Sequence, residues 1–140
     1  MSKQILIDHL NEDLAREVTA VCQYVQYAAM VQGASRPDLR TFFQAEIADE
    51  IMHVQYLADR VAALGGTPNL MPAPVPAADT AGDMLRALLT AEEEAIAEYI
   101  HRLGEAEAAG EIGLKVQLEN MIAEEAGHRD ELRQMLARWQ

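Results

Sequence analysis

One cysteine, Cys22, is all the thiol in this chain. An internal disulfide is therefore excluded, and so are the Cys-x-x-Cys pairs that hold structural zinc, rubredoxin-type iron or an iron–sulfur cluster. Aromatic residues are also few, at 5% of 140 residues, while Ala, Leu and Glu abound. That balance disfavours a β-sandwich, whose strands draw on aromatic and β-branched residues, and favours helices. Basic residues number 11 against 23 acidic ones, a formal charge of −12. Such a surface repels nucleic acid and anionic membrane and attracts cations. No stretch reaches the roughly 20 apolar residues of a membrane span. The opening residues, Met1-Ser2-Lys3-Gln4, lead straight into mixed sequence with no apolar run before a small-residue cleavage site. These absences give the first expectations: a single all-α domain over residues 1–140, cytoplasmic, with no membrane or nucleic-acid partner and with metal cations as natural ligands.

Apolar residues are spaced three or four apart over residues 5–31, at Leu6, Leu10, Leu14, Val18, Val21, Val25 and Ala28, which predicts an amphipathic helix. Gly33 to Pro37 breaks it. A second helix is expected over 38–64, with Leu39, Phe43, Ile47, Val54, Leu57, Val61 and Leu64 inward, ending at Gly65-Gly66. Residues 67–82 hold every proline but Pro37 and read as an irregular connection. Two more helices follow over 83–109 and 111–138, parted by a turn at Gly110. Short turns make each consecutive pair antiparallel. The middle connection is long enough to run back along the bundle, so the expected fold is a four-helix bundle of two antiparallel hairpins joined by a long crossover, the ferritin-like topology.

A shift of 75 positions superposes the two hairpins: Leu10 falls on Leu85, Leu14 on Leu89, Tyr24 on Tyr99 and Leu57 on Leu132. The same shift puts Glu17 on Glu92, Glu50 on Glu125 and His53 on His128. Each hairpin thus carries a Glu and, 33 residues later, Glu-x-x-His. Glu17 lies on the apolar stripe of Leu10, Leu14 and Tyr24, and Glu92 on that of Leu85, Leu89 and Tyr99, so both point inward. Glu50 and His53, three apart, share the face of Phe43 and Leu57; Glu125 and His128 share that of Leu118, Met121 and Leu132. Four ionised carboxylates inside an apolar bundle repel one another and each lose several kcal/mol of solvation, about the cost of burying any unpaired ion. Two divalent cations compensate four such charges, and two imidazoles complete a hard oxygen-and-nitrogen site suited to iron or manganese. Glu50 and Glu125 are expected to bridge the metals, with Glu17 and Glu92 terminal.

Other features read more plainly. Glu93, Glu94, Glu98, Glu105 and Glu124 fit a solvated helix face. His9 and His101 lack partners at ligand spacing and read as surface residues. Cys22 reads as a small buried residue, and Tyr24 and Tyr99 as core packing with electron donation as the alternative. The small Ala-rich bundle offers little sign of a substrate cavity.

An inward Glu followed by Glu-x-x-His, given twice, resembles the di-iron carboxylate pattern of the ferritin-like superfamily. More narrowly the chain resembles bacterioferritin, through Leu10-Asn11, Glu17 to Tyr24, Asp49-Glu50 with His53, Pro68-Asn69-Leu70, Met84-Leu85-Arg86 and Glu124-Glu125-Ala126-Gly127-His128. The resemblance implies that Glu17, Glu50, His53, Glu92, Glu125 and His128 are ferroxidase ligands for two iron ions per chain. It further implies oxidation of Fe(II) to Fe(III) with O2 or peroxide, iron storage and a homo-oligomer. Three positions depart from it. Ile51 stands where the family has its haem-ligating Met, with Met52 about 100° further round the helix, so haem is not expected. The chain ends some twelve residues beyond His128, at Gln140, short of the family's fifth helix. Ala45 replaces an inner-surface His, although Glu46 and Asp49 remain as iron-transit residues. Two rival functions share the fold: a non-storage di-iron enzyme of rubrerythrin-like, manganese-catalase-like or oxygenase type, and a miniferritin-like DNA-protecting shell.

Overall fold

The computed structural model describes residues 2–139; Met1 and Gln140, which begin and end the two terminal readings above, lie outside the described residues. Four helices and no strand occur among the described residues: α1 (Lys3–Met30), α2 (Arg36–Ala63), α3 (Ala81–Ala108) and α4 (Ile112–Leu136). None of them is long and apolar enough to cross a membrane.

Local chemistry sets the helix ends. The Ser2 hydroxyl accepts from the Ile5 amide at the start of α1, and the Thr80 hydroxyl accepts from the Asp83 amide at 3.1 Å at the start of α3. Each satisfies one backbone donor that the first turn leaves free. Helix α2 begins earlier than its periodicity indicates. Pro37 lies in its first turn rather than breaking the chain, because a proline there gives up no amide that the helix needs. Gly65 and Gly110 stop α2 and α3 with φ of 96° and 74°. In that left-handed conformation the next amide turns back: Gly66 donates to the Val61 carbonyl and Glu111 to that of Ala106, both at 2.9 Å. This is the Schellman closure that glycine permits without a Cβ clash.

Helices α1 and α2 pack as one hairpin and α3 and α4 as the other. The direction of the crossover follows from its contacts with α1. Thr67 and Asn69 bond to Asn11, the Ala73 amide donates to the Thr19 hydroxyl at 2.9 Å, and the Pro76 carbonyl accepts from the Tyr27 hydroxyl. The segment therefore climbs beside α1 from near its start to near its end, and α3 sets off from there, parallel to α2. The fold is the all-α bundle with one long crossover.

Two apolar clusters fill the ends of the bundle. One gathers Leu6, Leu10, Leu14, Leu57, Val61, Leu114, Leu118 and Met121; the other gathers Tyr24, Tyr27, Phe43, Leu85, Leu88 and Leu132. Val25, expected inward, is half exposed. The buried stripe of α1 instead follows Leu10, Leu14, Glu17, Tyr24 and Ala28, and Val25 sits one residue, about 100°, off it. Cys22 is half-buried rather than enclosed.

Candidate metal centre

Between the two clusters lies a belt of buried polar side chains: Glu17, Glu46, Glu50, His53, Glu92, Glu125 and His128. Helix α1 contributes Glu17, α2 Glu46, Glu50 and His53, α3 Glu92, and α4 Glu125 and His128. Their polar atoms form two groups, Glu17, Glu50, His53 and Glu125 in one, Glu46, Glu50, Glu92 and His128 in the other. Within each group one candidate ligand atom per residue lies within 4.8 Å of the rest.

The two glutamates of the Glu-x-x-His motifs stand between the imidazoles. Glu50 places Oε2 3.7 Å from His53 Nδ1 and Oε1 3.5 Å from His128 Nδ1. Glu125 does the same, with Oε1 2.9 Å from His53 Nδ1 and Oε2 3.8 Å from His128 Nδ1. Each carboxylate thus shows one oxygen to each imidazole, an arrangement that allows bridging. Glu17 Oε2 is 3.7 Å from His53 Nδ1, and Glu92 Oε1 is 3.8 Å from His128 Nδ1. The terminal carboxylate and the imidazole of each half therefore come from the same hairpin.

Almost every fully buried polar atom without a hydrogen bond is here. Glu17 Oε2, Glu46 Oε2, both Glu50 oxygens, His53 Nδ1, Glu92 Oε2, Glu125 Oε1 and His128 Nδ1 make no well-formed hydrogen bond, although some face one another as ion pairs; Arg60 Nε is the sole other side-chain case among the described residues. Buried donors and acceptors are nearly always paired, so eight orphans in one belt mark a place built for something else. Their chemistry, hard oxygens with two imidazole nitrogens facing one another, fits a pair of divalent transition-metal ions.

The charges show the same demand. Burial, and then repulsion from Glu17, pushes the Glu50 carboxyl well above its usual range. Burial alone would raise Glu125 too, but His128 and His53 beside it bring it down to about 2. Burial likewise works against charging the imidazoles, yet the surrounding carboxylates, led by Glu125 for both rings, hold each of them well above its usual value. Without metal, the belt keeps itself tolerable by retaining protons.

A second layer orients these groups. Tyr24 donates to Glu92 Oε1 at 2.7 Å and Tyr99 to Glu17 Oε1, so each hairpin's tyrosine holds the other hairpin's glutamate. On the far side of the imidazoles, His53 Nε2 lies 2.7 Å from Glu124 Oε2, and His128 Nε2 3.1 Å from Asp49 Oδ2 and 2.6 Å from Glu46 Oε2. Pairing the outer imidazole nitrogen with a carboxylate fixes the ring and makes it a better ligand. Glu124, expected to be merely solvated, is therefore part of the centre, although its side chain is half exposed. The 75-residue repeat carried the signal, since it places Asp49 on Glu124. Glu46 has no such counterpart: the matching residue is Met121. Glu105 departs from the solvated reading as well. It pairs with Arg102, which is buried and bonded through Nε and Nη2 to Asp13, and with His9. His101 is exposed.

The opposite side of the belt, between α1 and α3, holds a cavity of about 600 Å³ that the composition does not announce. Its floor is the carboxylates of Glu17, Glu50, Glu92 and Glu125, and its roof is the crossover at Met71 to Pro76. The alanines are themselves the cause: Ala15 and Ala20 on α1 face Ala91 and Ala95 on α3, and such short side chains leave the space open.

The family profile of the ferritin-like domain matches residues 7–140. The chain belongs to the ferritin-like family. It is 41% identical to a ferritin-like, diiron-carboxylate protein from Bacillus anthracis str. Ames, with a TM-score of 0.95 over 97% of this chain and 99% of that one. It is also similar to bacterioferritins. The match to that of Streptomyces coelicolor is 38% identical over 64 residues, 46% of this chain and 38% of the relative. The match to that of Mycobacterium leprae is 28% identical over 129 residues, 91% of this chain and 81% of the relative. The Streptomyces match thus spans well under half of that relative's length. As a ferritin-like chain with a carboxylate and histidine cluster in its bundle, the protein has the means to bind iron.

Proposed function

We propose that this protein is a ferroxidase of the iron-storage type, which takes Fe(II) as substrate at two positions per chain and releases Fe(III). The six residues Glu17, Glu50, His53, Glu92, Glu125 and His128 are its ligands in this reading. The observation that carries it is the pair of buried carboxylates, Glu50 and Glu125, each presenting one oxygen to each imidazole. Two neighbouring Fe(II) ions together supply two electrons, enough to reduce O2 to hydrogen peroxide or hydrogen peroxide to water, with protons drawn from solvent.

The chain's own groups do the positioning. Glu50 and Glu125 would set the distance between the ions, and Glu17, through the oxygen that Tyr99 leaves free, and Glu92 would cap them. All-oxygen and imidazole ligation favours the harder Fe(III) product. Protons held on the imidazoles and on Glu50 leave as the metal arrives, which neutralises the belt. Glu46, Asp49 and Glu124 offer an arriving cation carboxylates next to both imidazoles. The same reading includes a homo-oligomer, because storage needs an enclosed volume that one bundle lacks, and a cytoplasmic setting. Haem is not part of it, since Ile51 offers no sulfur where the family resemblance would put a haem-ligating Met. Manganese would fit the same ligands.

Aerobic Fe(II) addition tests the proposal. Oxidation should continue well past two ions per chain with only O2 or peroxide supplied, and fall to background in Glu17→Ala and His128→Ala. Stalling after one round, in a monomer or dimer without mineral, would favour the non-storage di-iron enzyme instead, a reading that the cavity over the carboxylates supports.

A further inference from the structure

We infer that the cavity between α1, α3 and the crossover is a binding chamber for a small, neutral, largely apolar organic molecule, with its one polar group against the carboxylate floor. The inference rests on the two-metal reading only for which end of the ligand faces that floor.

Its size, about 600 Å³, falls within the range of small-molecule pockets and far exceeds what a hydrated ion or O2 requires. The lining is mostly apolar: alanines on both helices, with Met71, Pro72 and Pro74 above. An apolar chamber of this kind gains little from a hydrated cation, which must shed water to enter it, and much from a hydrocarbon surface. Cations are better served on the other side of the centre, where Asp49 and Glu124 are half exposed. Charged groups do occur in the lining, as Glu12, Arg16 and Glu94, but these lie on the outer turns of α1 and α3 and are exposed or half-buried. They form a mixed rim, not a cation funnel.

The roof is built to stay in place. Ala73 donates to the Thr19 hydroxyl, which itself donates to the Ala15 carbonyl at 2.8 Å, and the Pro76 carbonyl accepts from Tyr27. Prolines at 72, 74 and 76 limit the freedom of the segment between these ties. A crossover needed only to connect two helices could lie flat in the α1–α3 groove. This one spans a half-open volume whose floor is the carboxylate belt. Ala20 and Ala95 coincide under the 75-residue repeat, so a small residue stands on each wall at the same height relative to Glu17 and Glu92.

The test uses octanol as probe, with octylamine as its cationic counterpart, on the full chain both metal-free and loaded with iron. Alanine and methionine methyl groups are followed by NMR. Saturable octanol binding is expected in both forms, with shifts concentrated at Ala15, Ala20, Ala91, Ala95 and Met71. Ala91→Phe should weaken it by roughly tenfold or more by filling the chamber. Ala15→Leu, on the opposite wall, should do the same and serves if the Phe variant does not fold. Fe(II) titration of the same samples reports on the metal reading separately. Octanol binding without stoichiometric iron would leave the chamber standing and remove the ferroxidase. Absence of saturable binding, shifts spread through both apolar clusters, undiminished binding in well-folded filled variants, or stronger binding of octylamine than of octanol would each overturn the chamber.

Discussion

The two sides of the carboxylate belt differ more than their shared ligands suggest. Toward α2 and α4 the imidazoles are backed by Glu46, Asp49 and Glu124, and two of those acids reach solvent. Toward α1 and α3 the same four glutamates face alanines, prolines and a roofed cavity. One side surrounds the imidazoles with acids, the other opens onto a cavity walled by small apolar side chains. A duplicated hairpin thus yields a centre that is nearly two-fold in its ligands and strongly polar from one side to the other. The difference arises because α1 and α3 each give the belt one carboxylate, whereas α2 and α4 each give it a Glu-x-x-His with further acids around it.

Removing a residue common to both sides should have the largest effect. Glu50→Ala and Glu125→Ala each delete a carboxylate that serves both imidazoles. Fe(II) oxidation should drop by about a hundredfold or more, as expected when a metal site loses a bridging ligand. The rise in melting temperature that iron gives the parent by binding only the folded state should disappear, while the metal-free bundle stays folded. Equal stabilisation of mutant and parent by iron would place the metal elsewhere.

Damage confined to the acidic side should be smaller and unequal. Glu124 is the carboxylate at His53 Nε2, whereas His128 Nε2 has both Asp49 and Glu46. Glu124→Ala should therefore lower metal affinity by roughly 10–100-fold, in the range for lost partners of a ligating imidazole, and Asp49→Ala by clearly less. Competition against a chelator measures both, and a reversed order would break the proposed asymmetry.

Proton linkage gives a third, graded effect. The folded-state values of His53 and His128 are raised above the ordinary 6.5, so their stabilisation is full below that pH and is lost as pH rises toward the folded values. Glu50, also raised, acts in the same direction above its ordinary 4.5. The melting temperature of the metal-free protein should fall as pH increases from 6.5, while iron affinity should rise because the displaced protons are released more easily at higher pH. Parallel melting curves and titrations between about pH 6.5 and 8.5 check both signs. The smallest effect belongs to the cavity side: Thr19→Val removes the acceptor for the Ala73 amide and should cost about 1 kcal/mol in chemical denaturation.

The helices and the six proposed ligands could be read in the sequence because each rests on a short-range period. Leu10, Leu14, Glu17 and Tyr24 repeat at helical spacing, and the 75-residue shift sets Glu17 on Glu92 and one Glu-x-x-His on the other. The repeat also contained Asp49 and Glu124, but a charged residue next to a ligand looks like any solvated glutamate until the imidazole's outer nitrogen is seen to face it. Features without period were hidden. Arg102 pairs with Asp13 across two helices, 89 residues apart, and neither has a charged counterpart in the repeat. The cavity was hidden for a different reason: alanine is the strongest helix former, so a line of alanines reads as helix and gives no notice of the space it leaves.

Anaerobic titration of the metal-free protein with Fe(II) tests the central claim most directly. A break at two Fe(II) per chain is expected, lost on substitution of Glu50 or Glu125. Saturation at one ion per chain, or none, would contradict it.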